Sequence, residues 1–375
     1  MTNKKMLRNL DWSFVANIYI ILGISLFLLS SASRIISSDP FYYFKKQILW
    51  IVIGTVVFVI TATINFNSLL KYANYLYILN IFTLLAVLVL GQAKKGAMRW
   101  ISIGPFDFQP SEFAKLIIVI SLAAFLTKRQ GQLNRLRDFI PPFLFVGVPM
   151  LLILKQPDLG TALVFIAILF GMMFIGGARP MLLSGIIVGG VAFVFIALYA
   201  HFNFGMHLPL KDYQLQRLVT FANPQLDPLG SGYHVIQSMV AIGSGGLLGK
   251  GFMNGTQVQL NFLPEHHTDF IFSVVGEEFG FVGAIVILIF YLSLMYKAIR
   301  IAGEAKDIFG ALVVTGIVSM FAFHILVNMG MTMGIMPVTG IPLPLLSYGG
   351  STMLTMMMAL GLIVNVNLNR QKLMF

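Results

Sequence analysis

Residues 261–269 read Asn-Phe-Leu-Pro-Glu-His-His-Thr-Asp, and Phe-Ile-Phe-Ser-Val-Val-Gly-Glu277-Glu278 follows. This acidic knot stands where the longest weakly apolar stretch of the chain re-enters a hydrophobic run. Ionisable side chains are expensive at such a boundary, and a charge kept there points to a working site. Asp269 is the first candidate. Thr268 has the character of an N-cap, which places Asp269 in the first turn of the next helix, where the dipole favours the ionised carboxylate. That form accepts a proton at neutral pH, although a helix-start carboxylate is as well explained by the dipole alone. A paired-carboxylate hydrolase needs a second acid roughly 5 to 9 Å away. Glu277 and Glu278 lie about 12 Å further along a helix, so the spacing favours a single base.

Other charged positions are candidates to act with it. Pro110-Ser-Glu112-Phe-Ala-Lys115 opens an apolar run, with proline suited to a first helical position and Glu112 and Lys115 three apart on one face. The pair can neutralise itself inside a membrane, as a structural ion pair or facing a substrate. Lys155-Gln-Pro-Asp158 is a tight turn carrying both signs of charge, which makes Lys155 and Asp158 second-rank site residues. Here Pro157 is expected as the first helical residue and Asp158 in the first turn. Residues 92–110 alternate polar and apolar types around Gly96, Gly104 and Pro105, a hairpin pattern that carries Arg99 and an interfacial Trp100.

Several tempting motifs fail on register. Gly243 to Gly251 lacks the glycine and the Ser or Thr of a phosphate loop and reads as a flexible or tightly turned segment, with Lys250 near an anion. His266 and His267 beside Glu265 imitate zinc ligands without a third at the right spacing, and read as a solvated interfacial pair. With no cysteine, thiolate chemistry is excluded. One base beside a basic cleft suits transfer from a phosphate-activated donor, the carboxylate activating a hydroxyl while cations stabilise the departing phosphate.

The elements that must hold these residues follow from composition. The 375 residues are 58% hydrophobic and 10% charged, against about 25% charged in a soluble domain. The fold class expected is an all-α polytopic membrane protein forming one domain, residues 1–375. Ten apolar runs approach the roughly 20 residues that cross a bilayer: 14–32, 47–64, 73–91, 111–127, 140–154, 158–175, 181–199, 268–296, 308–334 and 345–368. The first, flanked by Lys4, Lys5 and Arg8, imitates a signal peptide but is long and leads straight into the second, so it reads as an uncleaved helix. A long extracytoplasmic loop, residues 200–267, joins helices 7 and 8. Its stretches around Tyr213–Leu218 and Tyr233–Ile242 have amphipathic helical spacing.

With both termini cytoplasmic, fourteen of the 25 Lys and Arg residues fall inside, as basic residues prefer. The remainder, including Lys45, Lys46, Lys94, Arg99, Lys115, Lys155, Arg217 and Lys250, gather on the outer side. That suggests an anionic visitor there, with anionic lipid headgroups the simple alternative. The net charge of +11 does not indicate nucleic acid, since no aromatic platform interleaves the basic residues. Residues 334–351 hold Pro337, Pro342 and Pro344 among several glycines, which implies broken helix ends packed in protein or lining a wet cavity.

Together these stretches resemble the SEDS family, the shape, elongation, division and sporulation proteins. The matching segments are Lys95-Gly-Ala-Met-Arg-Trp-Ile with Gln109-Pro-Ser-Glu-Phe-Ala-Lys115, then Gln156-Pro-Asp-Leu-Gly-Thr161, Gln237-Ser to Gly243, Phe262 to Phe270, and Asn328 through Ser347-Tyr-Gly-Gly-Ser351. The resemblance spans nearly the whole chain; Thr352 departs mildly from a position more often Ser or Ala. It implies a peptidoglycan glycosyltransferase of the cytoplasmic (inner) membrane that polymerises lipid II for cell-wall elongation and rod shape, with its active site on the extracytoplasmic side. It further implies Asp269 as the essential carboxylate, sensitivity at Arg99, Glu112 and Lys115, and dependence on a divalent cation, Mg²⁺ or Mn²⁺. Lys155, Asp158, Arg217, Gln237 and Ser347 complete the substrate-binding candidates. The implied partners are a class B penicillin-binding protein transpeptidase and other elongation-machinery membrane proteins. A flippase or ion-coupled carrier for the same lipid-linked precursor is the rival class, and a scaffold the third; carriers commonly place charges at the bilayer midplane between inverted repeats, whereas these gather at one rim.

Overall fold

The computed structural model describes residues 10–33, 39–94, 97–103, 106–206, 212–228 and 230–370. Lys4, Lys5, Arg8, Lys95, Gly96, Gly104 and Pro105, named above, lie outside them. In hydrocarbon a backbone must satisfy its own polar groups, so the apolar runs become helices. They are α1 (Trp12–Ala32), α2 (Tyr42–Thr63), α3 (Phe66–Leu90), α4 (Pro110–Thr127), α5 (Ile140–Lys155), α6 (Leu159–Ile175), α7 (Pro180–Phe204), α11 (Ile271–Gly303), α12 (Ile308–Thr332) and α13 (Gly350–Leu368). Among the described residues nine have the length and composition of a span, the turn Leu136–Phe139 counting with α5; α6, at 17 residues, is shorter. The chain is a multi-pass membrane protein.

Helices α4, α12 and α13 are the inner ones, with 78%, 61% and 83% of their apolar windows buried, whereas α7 has only 6% buried and presents its side chains outward. A helix apolar all round needs lipid or protein on every side, and α7 has little of the latter. The inner helices pack against α2, α6 and α11.

The elements that build the site sit at one end of the bundle. Strands β1 (Gln92–Lys94), β2 (Ala97–Ile103) and β3 (Phe106–Phe108) form an antiparallel sheet in that order, three strands where the sequence suggested one hairpin. Ser351 ties the sheet to α13, its hydroxyl donating to the Asp107 carbonyl and accepting from the Gln109 amide at 3.1 and 3.2 Å. Between α7 and α11 lie α8 (Asp212–Ala222), α9 (Ser231–Gly245) and the short α10 (Thr256–Gln259), so both amphipathic stretches are helical.

Helix α11 is broken at Gly280, whose φ of 61° and ψ of −157° are available essentially to glycine alone. The groups freed by the break are taken up by the segment after α9. Phe281 and Val282 amides donate to the Gly246 and Leu247 carbonyls at 2.9 and 3.1 Å, while the Lys250 and Gly251 amides donate to the Glu277 and Glu278 carbonyls at 2.9 and 3.0 Å. The glycine-rich stretch is therefore a tight brace around a helix break. Its anion is Glu277, whose buried carboxylate meets Lys250 Nζ at 2.7 Å and the Gln257 and Val258 amides at 2.9 and 3.3 Å.

Residues 333–349 are irregular, as the prolines and glycines imply, and their carbonyls are met by side chains from the core. Asn328 Nδ2 donates to Ile341 O at 2.7 Å and to Asp269 O at 2.8 Å, Tyr291 Oη to Pro344 O at 2.6 Å, and Ser25 Oγ to Leu346 O at 2.8 Å. A single amide thus joins the turn that carries Asp269 to the broken segment opposite.

Candidate active site

A cavity of about 330 Å³ opens among the sheet, the N-terminal ends of α4 and α6, α8, the turn before α11 and residues 339–352. Asp269, Arg99, Glu112, Lys115, Asp158 and Arg217 all line it. With Glu265, seven charged side chains meet in one space inside an apolar bundle, the feature that distinguishes this place from the rest of the molecule.

Asp269 does not sit in a helical turn capped by Thr268. Helix α11 begins at Ile271 after Phe270, which makes no side-chain cap, and residues 263–270 are turns. Glu265, with φ of 53°, reverses the chain, and its carbonyl takes the amides of Thr268 and Phe270 at 3.1 and 3.3 Å. Thr268 Oγ1 bonds back to Glu265 rather than forward, at 3.1 Å from its carboxylate. The dipole contribution to Asp269 is correspondingly smaller, and Arg217 across the cavity interacts with it electrostatically. The histidines before it are buried, not solvated: His266 Nδ1 and Nε2 meet the carbonyls of Leu263 and Ala32 at 2.6 and 2.8 Å, which fastens the turn to the end of α1.

Arg99, on β2, reaches the opening turn of α6. Its Nε donates to Gln156 O at 3.1 Å, it also donates to Pro157 O, and its Nη1 stands 3.8 Å from Asp158 Oδ1. Pro157 is part of the turn; Asp158 is the N-cap of α6, accepting from the Thr161 amide at 3.1 Å and from its hydroxyl at 3.0 Å. Arg217 crosses from α8 to donate to Thr339 O at 3.3 Å. Burial pushes the Arg217 guanidinium pKa down and the nearby charge of Arg99 lowers it further, with Tyr213, Asp158 and Asp269 opposing. Two cations that repel each other in a partly desolvated cavity are stabilised by any anion that enters between them.

The polar floor is a chain of three. Lys115 Nζ bonds Glu112 Oε1 at 2.8 Å and lies 3.1 Å from His324 Nε2, whose other nitrogen faces Pro342 O at 3.0 Å. The second Glu112 oxygen is buried without a protein partner.

Three other sequence candidates lie outside the lining. Lys155 is exposed at the last residue of α5, and Gln237 is half-buried on α9. Ser347 is buried with its hydroxyl accepting from the Leu343 amide at 2.9 Å, so it closes a turn. Conversely His324, Trp100, Glu265, Thr352 and Tyr348 line the cavity without having been named as site residues. A histidine inside an apolar run was a usable signal for the first of these; the others depend on how the loops fold back.

A sequence profile for the FtsW/RodA/SpoVE cell cycle protein family matches residues 10–372. The chain is 41% identical over 338 residues to the peptidoglycan glycosyltransferase MrdB of Escherichia coli K12, covering 88% of this chain and 86% of that one. A solved chain described as "Structural coordination of polymerization and crosslinking by a peptidoglycan synthase complex" superposes with a TM-score of 0.79 at 32% identity, over 96% of this chain and 97% of that one. The rod shape determining protein RodA of Thermus thermophilus superposes with a TM-score of 0.70 at 29% identity, over 97% and 98%. The helical bundle and the extent of these matches leave one assignment: this chain belongs to the FtsW/RodA/SpoVE family, the SEDS proteins.

Proposed function

We propose that this chain is a peptidoglycan glycosyltransferase that polymerises lipid II at the extracytoplasmic side of the cytoplasmic membrane, with both termini in the cytoplasm. The activity named for the relatives supports the reaction class. The observation that carries the site assignment is that Asp269 lines one cavity with Arg99 and Arg217. In this reading the Asp269 carboxylate takes the proton of an acceptor sugar hydroxyl as that oxygen bonds to the donor's anomeric carbon. The bond from that carbon to the pyrophosphate breaks, and its electron pair leaves with the phosphate. Arg99 and Arg217 face the pyrophosphate and stabilise the charge that develops there, the preorganised electrostatic role expected in a water-poor site. Lys115, held by Glu112 and His324, contributes positive potential from the floor rather than a mobile contact.

A divalent cation, Mg²⁺ or Mn²⁺, fits as an ion carried by the substrate. Such ions commonly use one or two carboxylates with substrate phosphates, and Glu265 supplies a hard carboxylate on the same wall while the described residues offer no cage of three ligands. Glu265 would hold it, and the ion would offset charge on the leaving pyrophosphate. The partner in this reading is a class B penicillin-binding protein that cross-links the product, working with other membrane proteins of the elongation machinery. The test is polymerisation of labelled lipid II by the purified protein with its partner's cross-linking blocked. Asp269→Asn is expected to abolish polymer while leaving substrate binding; full activity in that variant would refute the base assignment, and precursor movement across vesicles without polymer would replace it with transport.

A further inference from the structure

A second cavity, of about 300 Å³, lies on the other side of Arg217. It is bounded by α8, α9 and the segment before Thr339, through Phe221, His234, Val235, Met336 and Val338. Apart from Arg217, Thr220 and His234, its side chains are hydrocarbon or thioether. It falls within the roughly 300–1,000 Å³ range of small-molecule sites.

The wall between the two cavities is thin and specific. Arg217 lines both, and its guanidinium donates to the carbonyl of Thr339 at 3.3 Å. Val338 belongs to the apolar side of that wall and Thr339 to the charged side. The arrangement is thus charged chamber, cation, apolar chamber. A molecule whose pyrophosphate is bonded directly to a hydrocarbon chain has the same sequence of chemistries, and needs both chambers within a bond or two of the cation. Val235 and Thr220, 4% and 5% exposed, give the second chamber a closed floor.

We infer that the second cavity holds the pyrophosphate-proximal isoprene units of a polyprenyl-pyrophosphate substrate, with Arg217 at the junction of headgroup and tail. The assignment rests on the lipid-linked substrate of the proposed function and adds where its tail turns away from the sugar chemistry. Arg217 is then a binding residue for the link itself. The apolar chamber fixes how far the pyrophosphate can advance toward Asp269.

The test places the photoreactive residue p-benzoylphenylalanine at Phe221, an aromatic position already lining the apolar chamber, in the full chain in phosphatidylglycerol–phosphatidylethanolamine vesicles containing undecaprenyl pyrophosphate, with adducts identified by mass. The expected result is a polyprenyl-pyrophosphate adduct, reduced about tenfold by Arg217→Ala and absent with the uncharged polyprenol, as loss of a charge-assisted contact would give. Adducts with vesicle phospholipid only, or equal capture of the polyprenol, would overturn the proposal. Filling the chamber by Val338→Trp should raise KM for lipid II about tenfold, as the loss of roughly two buried methylene contacts would; an unchanged KM in a folded variant would count against it. Capture is measured also in Asp269→Asn, where no polymer forms. Capture without polymerisation by the unsubstituted protein sinks the enzyme reading and leaves the tail site standing, whereas polymerisation without capture sinks the tail site alone.

Discussion

Lys115 and Glu112, one turn apart on α4, are joined by a 2.8 Å contact whose two side chains are 1% and 5% exposed. His324 completes the group, and with its Nδ1 against the Pro342 carbonyl it must donate there and accept from Lys115 through Nε2. Removing one member strands a buried charge, at a cost of about 3–5 kcal/mol, while replacing both charges by apolar side chains of similar size is nearly neutral. Lys115→Ala and Glu112→Ala should therefore each lower the thermal stability of the purified protein in detergent strongly, and Glu112→Leu with Lys115→Met should recover most of it. A double variant as unstable as the sum of the singles would show that the pair is not coupled.

The two arginines of the cleft should separate kinetically. Arg217 donates to Thr339 O and lies over the Tyr213 ring, whereas Arg99 clamps the turn at 156–158. Arg217→Ala is expected to reduce polymerisation on the order of 10²-fold with the fold intact, the scale of losing one preorganised donor. Arg99→Ala should lose activity and stability together, because the Gln156 carbonyl is left without its donor; Arg99→Lys should restore stability more than activity, since an ammonium cannot reproduce the planar fork. Measurements of kcat/KM and of unfolding temperature on the same preparations decide it.

How much of this was legible in the sequence differs by residue. Asp269, Arg99 and Arg217 could be singled out because charge is scarce in an apolar chain, and their convergence is a consequence of three loops meeting at one end. Lys155 and Gln237 show the limit of that reasoning: at a helix end or on an amphipathic helix, spacing does not fix which neighbour a face meets, and neither lines the cavity. Thr268 failed as a cap because the left-handed Glu265 three residues earlier holds the backbone in a reverse turn, a choice set by the contacts of His266 and Asn328 rather than by local propensity. The break in α11 was hidden for a similar reason. Gly280, between Gly276 and Gly283 in one run, reads as a tolerated helical residue, and only the brace from residues 246–251 makes the break stable.

That brace gives a third prediction. A β-carbon at Gly280 would stand 2.4 Å from the Gly249 nitrogen and 2.7 Å from the Leu247 carbonyl, in a backbone region unsuited to alanine. Gly280→Ala should cost about 1–3 kcal/mol from the backbone alone and release the brace. Hydrogen exchange is the readout: the amides of Lys250, Gly251, Phe281 and Val282 should lose protection together, while the α4 amides do not. Loss confined to residue 280 and its neighbours would show that brace and break are independent.

The last prediction concerns pH. His234 stacks on Phe270, the residue after Asp269, with ring centroids 6.1 Å apart and planes at 21°. Burial lowers its pKa below the ordinary 6.5, with Glu265 opposing. Because the folded protein binds the proton less readily than the unfolded chain, the neutral ring's contribution is fully present above about 6.5 and is lost as pH falls toward the folded value. Thermal stability of the unsubstituted protein should therefore decline below pH about 6.5, where the reference imidazole begins to protonate. His234→Phe keeps an aromatic ring of similar size on Phe270 and removes the titration, so its stability should follow a shallower course over the same range and exceed that of the parent at the acid end. Equal slopes for the two proteins would assign the acid sensitivity to other groups.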